Sequence, residues 1–445
     1  MAGGTFISQN KIRPGAYLNF KSVETPTSKI GSRGIVTFAM NLNWGAEGEL
    51  IDIYSSELIS GDSLAKVGLT AMDSDAKLLN LALSNAYLAK IYRVNKGGAK
   101  ATTTLDGLTV TAKYAGTFGN KIAILIKSAG DSIFEVSTYA DGFLVDTQKA
   151  AKIGDLKNND YVVFSGTAST ALTAVSSTLL ENGTNGTVSN VSTNYTEYFK
   201  LLKTAQWQTL AIVQDATTVA STAATFIKQM REDEGKYVQL VLANSDSADY
   251  EGIINNVSSV KMDDVTITAD EFNAYVAGIT AGASVIESNT GKVVEGATSI
   301  VNPLTNDEII AGLQAGKFIL SLNQDGKVKV EKDINSLHTF TTEKTYTFSK
   351  NRVIRTLDEI GTSICSIWEN TYLGKVSNND AGRMLFKSSI INYLTELQNI
   401  GAIQEFDADA VEVIKGADID SVIATISIKP VDSMEILYMT VNITD

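Results

Sequence analysis

Between Lys96 and Gly186 the chain changes its chemistry, and this change limits the fold more than any other feature of the sequence. Thr, Gly, Asn and β-branched residues dominate, and apolar residues recur with period two. Leu108, Val110 and Ala112 alternate with Thr109 and Thr111, and Ile122, Ile124 and Ile126 alternate again. Period two sends successive side chains to opposite faces of a strand. Asp141-Gly142, between apolar runs at 134–139 and 143–147, predicts a tight hairpin because both residues tolerate positive φ. Outside this stretch the pattern is α/β. A strand is expected at 35–40 and a helix at 76–90, on Leu79, Leu83 and Ala86. Further on, helices at 195–204 and 220–234 alternate with strands at 209–213 and 237–242. Such alternation predicts a largely parallel sheet covered on both faces. The β-rich stretch therefore reads as a small sandwich inserted into an α/β domain, within a chain of 445 residues that is long enough for two or three domains.

The carboxy-terminal part predicts two long helices. Val353, Leu357, Ile360, Ile364 and Ile367 share one helix face, and Ile390, Leu394 and Leu397 share another. A hairpin is expected over 318–330, around Asn323-Gln324-Asp325-Gly326. Near the end, Val422, Ala424, Ile426 and Ile428 alternate up to a break at Pro430, and Leu437, Met439, Val441 and Ile443 alternate after it. At the other end, Pro14-Gly15 rules out a helix and Tyr17, Leu18, Asn19 and Phe20 read as an extended arm. Terminal strands either recruit another chain or pair internally, for example 421–429 with 435–443, and the sequence leaves both open.

Composition excludes several function classes. The net charge of -13 comes with no basic run suited to phosphates, so nucleic acid is not an expected partner. One cysteine, Cys365, and one histidine, His338, leave no disulfide framework and no zinc cluster, and no metal or cofactor is expected. Cys365 reads as a small core residue. Residues 1–11 are polar where an export signal would be apolar, and no run approaches the roughly 18 apolar residues of a membrane span. The expectation is a protein made in the cytoplasm and not inserted in a membrane.

Strings that could carry chemistry have stronger structural readings. Gly361-Thr362-Ser363 resembles the nucleophile motif of subtilisin proteases, with His338 upstream, yet Ser363 falls in mid-helix and His338 lacks small neighbours. Gly312-Leu313-Gln314-Ala315-Gly316-Lys317 is one residue short of a phosphate-binding loop, and Phe318 stands where Ser or Thr would hold magnesium. Asp407, Asp409 and Glu412 lack the spacing of a calcium loop. No catalytic residue is assigned.

Asn10-Lys11-Ile12-Arg13-Pro14-Gly15-Ala16-Tyr17-Leu18-Asn19-Phe20 closely resembles the opening of contractile tail sheath proteins of phages, defective prophages and R-type bacteriocins. Further strings fit that family in order. They are Gly31-Ser32-Arg33-Gly34-Ile35, Ala115-Gly116-Thr117-Phe118-Gly119-Asn120, Arg352-Val353-Ile354-Arg355-Thr356-Leu357-Asp358, Tyr372-Leu373-Gly374-Lys375-Val376 and Pro430-Val431-Asp432-Ser433-Met434-Glu435. Ala115 stands where the family usually has proline.

The resemblance implies a subtilisin-like α/β domain without protease activity (22–95 and 187–345), an inserted β-sandwich (96–186) and a carboxy-terminal α/β domain (346–430). Arms at 1–21 and 431–445 would be donated to neighbouring subunits. It implies hexameric rings stacked around an inner tail tube protein, with baseplate and tail terminator proteins as partners, in a sheath that contracts to push the tube through a cell envelope. Pro14, Gly15 and Pro430 would be the bending points, and Tyr17, Leu18, Asn19, Phe20, Leu437, Met439, Val441 and Ile443 the interface. The alternatives are a degenerate subtilisin-like hydrolase and a surface adhesin.

Overall fold

The computed structural model describes the backbone of residues 2–4 and 15–17 and all of residues 33–444. Its centre is a seven-stranded sheet. In chain order the strands are β1 (Ile35–Met40), β2 (Leu50–Tyr54), β3 (Leu88–Arg93), β4 (Thr209–Ala211), β5 (Gln239–Ala243), β6 (Ile253–Asn256) and β7 (Lys317–Phe318). Across the sheet they run β7-β6-β5-β4-β1-β3-β2, all parallel except the edge strand β2. Helices cover both faces: α1 (Lys77–Leu83) and α4 (Ala269–Gly282) on one, α2 (Val191–Leu202) and α3 (Ala216–Glu232) on the other. Strand alternation sorts the core accordingly. Val36, Phe38 and Met40 pack with Leu79 and Phe272, while Ile35 and Ala39 pack with Tyr198 and Phe226.

Two elements differ from the sequence reading. The helix expected over 76–90 stops at Leu83, and Leu88–Arg93 is the strand β3. Because β3 is central, Leu88, Ala89, Ile91 and Tyr92 are all buried, so the run loses the alternation that marks a strand. Helix α4 was not anticipated at all. It is apolar nearly all round, and Gly278 and Gly282 let it approach the backbone of Ala82 and Asn85. Its start did carry a signal, since Thr268 and Glu271 form a reciprocal capping box. The 318–330 hairpin is confined to Leu320–Leu322 and Val328–Val330, because Lys317–Phe318 joins the edge of the main sheet.

The β-rich stretch folds as two sheets. One has four strands, Phe143–Ala150, Ile133–Ala140, Ile122–Gly130 and Val175–Leu179; the other has three, Val162–Ser165, Leu108–Ala112 and Thr102–Leu105. They enclose Leu108, Val110, Ile122, Ile124, Ile126 and Val136. Asp141 and Gly142 take φ 48° and 86° in the expected hairpin. The two chain ends of this unit pair with each other at Lys96 and Thr187.

Arg93, fully buried at the end of β3, gathers the junction. Its Nη1 donates to Gly45 O (2.9 Å) and Ala115 O (2.8 Å), its Nη2 to Asn185 O (2.9 Å) and its Nε to Asn95 O (3.0 Å). Four carbonyl dipoles replace the water that a buried cation loses. Nearby, Gly116 has φ 145°, and a Cβ there would fall 1.8 Å from Asn43 O. A glycine is obligatory in that string for this reason.

The carboxy-terminal part has α5 (Asn351–Ile367) and α6 (Asp380–Asn399), backed by a ribbon of β8 (Val411–Lys415) and β9 (Val422–Ile426). Ile360, Ile367, Ile390, Leu394, Leu397 and Val411 form its core. Leu357 and Ile364 are only half-buried, and Ala424 is exposed. Cys365, expected in the core, is exposed instead. It follows Ile364 on the helix, about 100° round from the buried stripe.

Arg93→Met should destabilise the chain by about 3 kcal/mol, since it leaves buried carbonyls without a donor. Urea denaturation monitored by tryptophan fluorescence measures this. A loss below about 1 kcal/mol would mean that Arg93 does not hold the junction.

Candidate assembly interface

Ser363 and His338, the two residues of the subtilisin-like string, each have another partner. His338 Nδ1 lies 2.9 Å from Ser336 O and 3.4 Å from Asp249 Oδ1. Ser363 is buried within α5, where its Oγ donates to Glu359 Oε1 at 3.0 Å. Each side chain is thus engaged elsewhere, and a nucleophile without its base has no triad geometry. Asp407 Oδ1 accepts the backbone N–H of Asp409 in a local turn (3.0 Å). Among the described residues there is no group of three or more metal-binding side chains and no helix long and apolar enough to cross a membrane.

What the surface does present is an exposed apolar segment near the carboxy terminus, outside any strand. Leu437, Met439, Val441 and Ile443 are 73–92% exposed, as are Ile436 and Tyr438 to similar degrees. Residues 436–444 have no ladder partner among the described residues, so no internal hairpin with 421–429 forms. Instead Val422–Ile426 pairs with Val411–Lys415, and Lys429–Pro430 pairs with Ile403–Gln404. At the other end Gly15–Tyr17 pairs in parallel with Ala2–Gly4. Pro14, Leu18, Asn19 and Phe20 lie outside the described residues.

The ribbon β8–β9 lies beside the 436–444 segment in the chain. Its inner face, with Val411, Val413, Val422 and Ile426, rests on the α5–α6 core. It is only two strands wide, and Ile414, Ile419 and Ile423 are exposed along it. A short sheet with open edges and apolar side chains is a template for an added strand.

Helix α5 ties this ribbon domain to the central sheet. Arg231 of α3 forms a bidentate pair with Asp358 (2.9 and 2.6 Å), both side chains being nearly out of water. Burial would push the Arg231 guanidinium down, but the Asp358 carboxylate outweighs it and the net shift is upward. Arg355, also buried, pairs with Asp333 (3.0 Å) and donates to Glu287 O (2.6 Å). Asn351 Nδ2 donates to the other Asp333 oxygen (2.8 Å). Arg33, just before β1, is pushed down to about 10 by burial and by the neighbouring Arg355, against the pull of Asp358 and Glu359.

Past Pro430 the chain remains held for five residues. Val431 N–H donates to Ala402 O (3.0 Å), Asp432 lies 3.2 Å from Lys350 Nζ, and Glu435 is bound by both Lys350 and Thr290. The sequence reading named the apolar arm but none of these polar partners. Lys350 and Thr290 lie 85 and 145 residues from Glu435, and only the strings 352–358 and 430–435 pointed to the region.

Known proteins share this architecture. Residues 96–185 match the phage tail sheath protein beta-sandwich domain, 189–336 the phage tail sheath protein central domain and 343–444 the phage tail sheath C-terminal domain. The phage-like element PBSX protein XkdK of Bacillus subtilis is 33% identical over 472 aligned residues that span all of both chains. A crystal structure of the sheath tail protein of Desulfitobacterium hafniense, 39% identical, superposes with a TM-score of 0.80 over 94% of this chain and 97% of that one. The helical sheath of the anti-feeding prophage in its contracted state shares the fold alone, at 12% identity and a TM-score of 0.57, over 97% of this chain and 99% of that one.

Removing one member of the buried pair should be costly. Asp358→Ala is expected to lose about 3–5 kcal/mol, because Arg231 stays buried without a counter-charge. Arg231→Met combined with Asp358→Leu should lose less than the single change. A double variant less stable than Asp358→Ala, by urea denaturation, would contradict this account of the seam.

Proposed function

The chain belongs to the phage tail sheath family, and from that premise we propose that it stacks as hexameric rings around an inner tail tube and contracts to drive that tube through a target envelope. Its role is structural, in a tail particle of the contractile type. The observation that carries the reading is the exposed apolar segment at 436–444, which has no ladder partner among the described residues and whose alternation fits a strand completed by a neighbour. Burying several such side chains at a neighbour contributes about 1.5–3 kcal/mol each before ordering costs, and the added main-chain hydrogen bonds fix the register.

In this reading the arm of one subunit adds to the open edge of the β8–β9 ribbon of another. The amino-terminal arm, with Tyr17, Leu18, Asn19 and Phe20, makes a second link, and Pro14, Gly15 and Pro430 are bending points. A strand pairing survives rigid-body rotation if the connecting segment absorbs the change. The α/β part would have a subtilisin-like topology that serves as scaffold. The units would be 1–21, 22–95 with 187–345, 96–186, 346–430 and 431–445. Baseplate and tail terminator proteins would bind the two ends of the stack. The engagement of Ser363 by Glu359, and of His338 by Ser336, disfavours the hydrolase alternative.

Truncation after Glu435 removes residues 436–445, of which 436–444 are exposed and without a ladder partner among the described residues. The truncated subunit should keep the thermal midpoint of the full chain and fail to form sheath, as judged by negative-stain microscopy. Tubes of normal length from that variant would rule out donation of the carboxy-terminal arm.

A further inference from the structure

The arm does not leave the body at Pro430, where the sequence would place its hinge. Between Val431 and Glu435 it is tied down by polar contacts, with little apolar burial. Met434 points fully into solvent. Glu435 is the main tie. One of its oxygens accepts from Lys350 Nζ, and the other accepts from Thr290 Oγ1 (2.7 Å) and Ser433 Oγ (3.2 Å). The side chains of Lys350 and Glu435 are only 7% and 9% exposed. Thr290 Oγ1 in turn accepts the backbone N–H of Asp333 (2.9 Å), the residue that pairs with Arg355. The arm root therefore sits on the same joint that holds α5 to the central sheet.

We propose that Lys350 and Thr290 form a latch on Glu435 that positions the carboxy-terminal arm, and that opening the latch lengthens the free arm. The inference rests on the reading of the arm as a link between subunits. With the latch closed, the free chain begins at Ile436 and has ten residues, a reach of about 33 Å when extended. With Glu435 released and Asp432 still held by Lys350, the free chain begins at Ser433 and has thirteen residues, about 43 Å. The difference is about 10 Å of slack. Neighbouring subunits can then separate while the donated strand keeps its register.

The physical basis of the two states is the nature of the contacts. A charged pair with little apolar surface around it lacks the gradual yield of a packed interface. Once Glu435 leaves, its carboxylate is fully hydrated, and Lys350 retains Asp432 at 3.2 Å. Lys350 is the residue immediately before α5, so the position of the arm root is coupled to that helix.

Pulsed dipolar spectroscopy on dilute, unpolymerised subunits tests this directly. In a Cys365→Ser background, spin labels at Leu437→Cys and at the exposed Met384→Cys of α6 report the arm's direction. The parent should give one narrow distance distribution. Glu435→Ala should at least double its width, and Lys350→Met should do the same; Glu435→Ala leaves the Lys350–Asp432 contact and serves as the milder variant. Equal widths in parent and Glu435→Ala would overturn the latch, as would a parent already as broad as the variants. Because no assembly is involved, such a result leaves the arm reading intact, whereas normal tubes from the chain truncated after Glu435 would defeat the arm reading whatever the spectroscopy shows.

Discussion

Arg231 and Asp358 meet as a bidentate pair almost out of water, and the arrangement of the whole chain depends on that contact and its neighbour, Arg355–Asp333. Such pairs add little net stability compared with apolar packing, but they penalise separation heavily. They therefore select one relation between α5 and the central sheet. The β8–β9 ribbon rides on α5 and α6, and the arm root rides on Lys350 at the start of α5. Any force on the arm reaches the body at this joint.

The division of labour follows from what each part can bury. The seven-stranded sheet satisfies its side chains with helices on both faces, and the sandwich satisfies its own core. Arg93 joins the two with carbonyls in place of a counter-charge. Exposed apolar side chains also occur elsewhere, but over 436–444 they run together on a segment without a ladder partner among the described residues. A sheath subunit needs a rigid body and a connector, and the contrast in burial separates the two.

Local physics made some of this legible in the sequence. Asp141-Gly142 specifies its hairpin within four residues, whereas the strand expected from the 437–443 alternation is exposed chain outside any strand in the folded subunit. The strand β3 was misread because full burial on both faces erases period two, and α4 was missed because a helix buried all round has no polar face to reveal its period. Cys365 was misplaced by one step around α5. The charged contacts were hidden for a different reason. Arg231 with Asp358, and Lys350 with Glu435, are 127 and 85 residues apart, and no local pattern encodes such a pairing. The sequence showed that an arm exists, and its root became apparent only in three dimensions.

The central claim is that the carboxy-terminal strand of one subunit completes the ribbon of another. A cryo-electron microscopy map of the extended sheath at side-chain resolution tests it most directly, by tracing residues 436–445 from each subunit. The account predicts continuous density leaving the body after Glu435 and running in hydrogen-bond register along the open edge of a neighbour's β8–β9 ribbon, with Leu437, Met439, Val441 and Ile443 on one face. An arm folded back onto its own subunit, or one projecting without a partner strand, would contradict it.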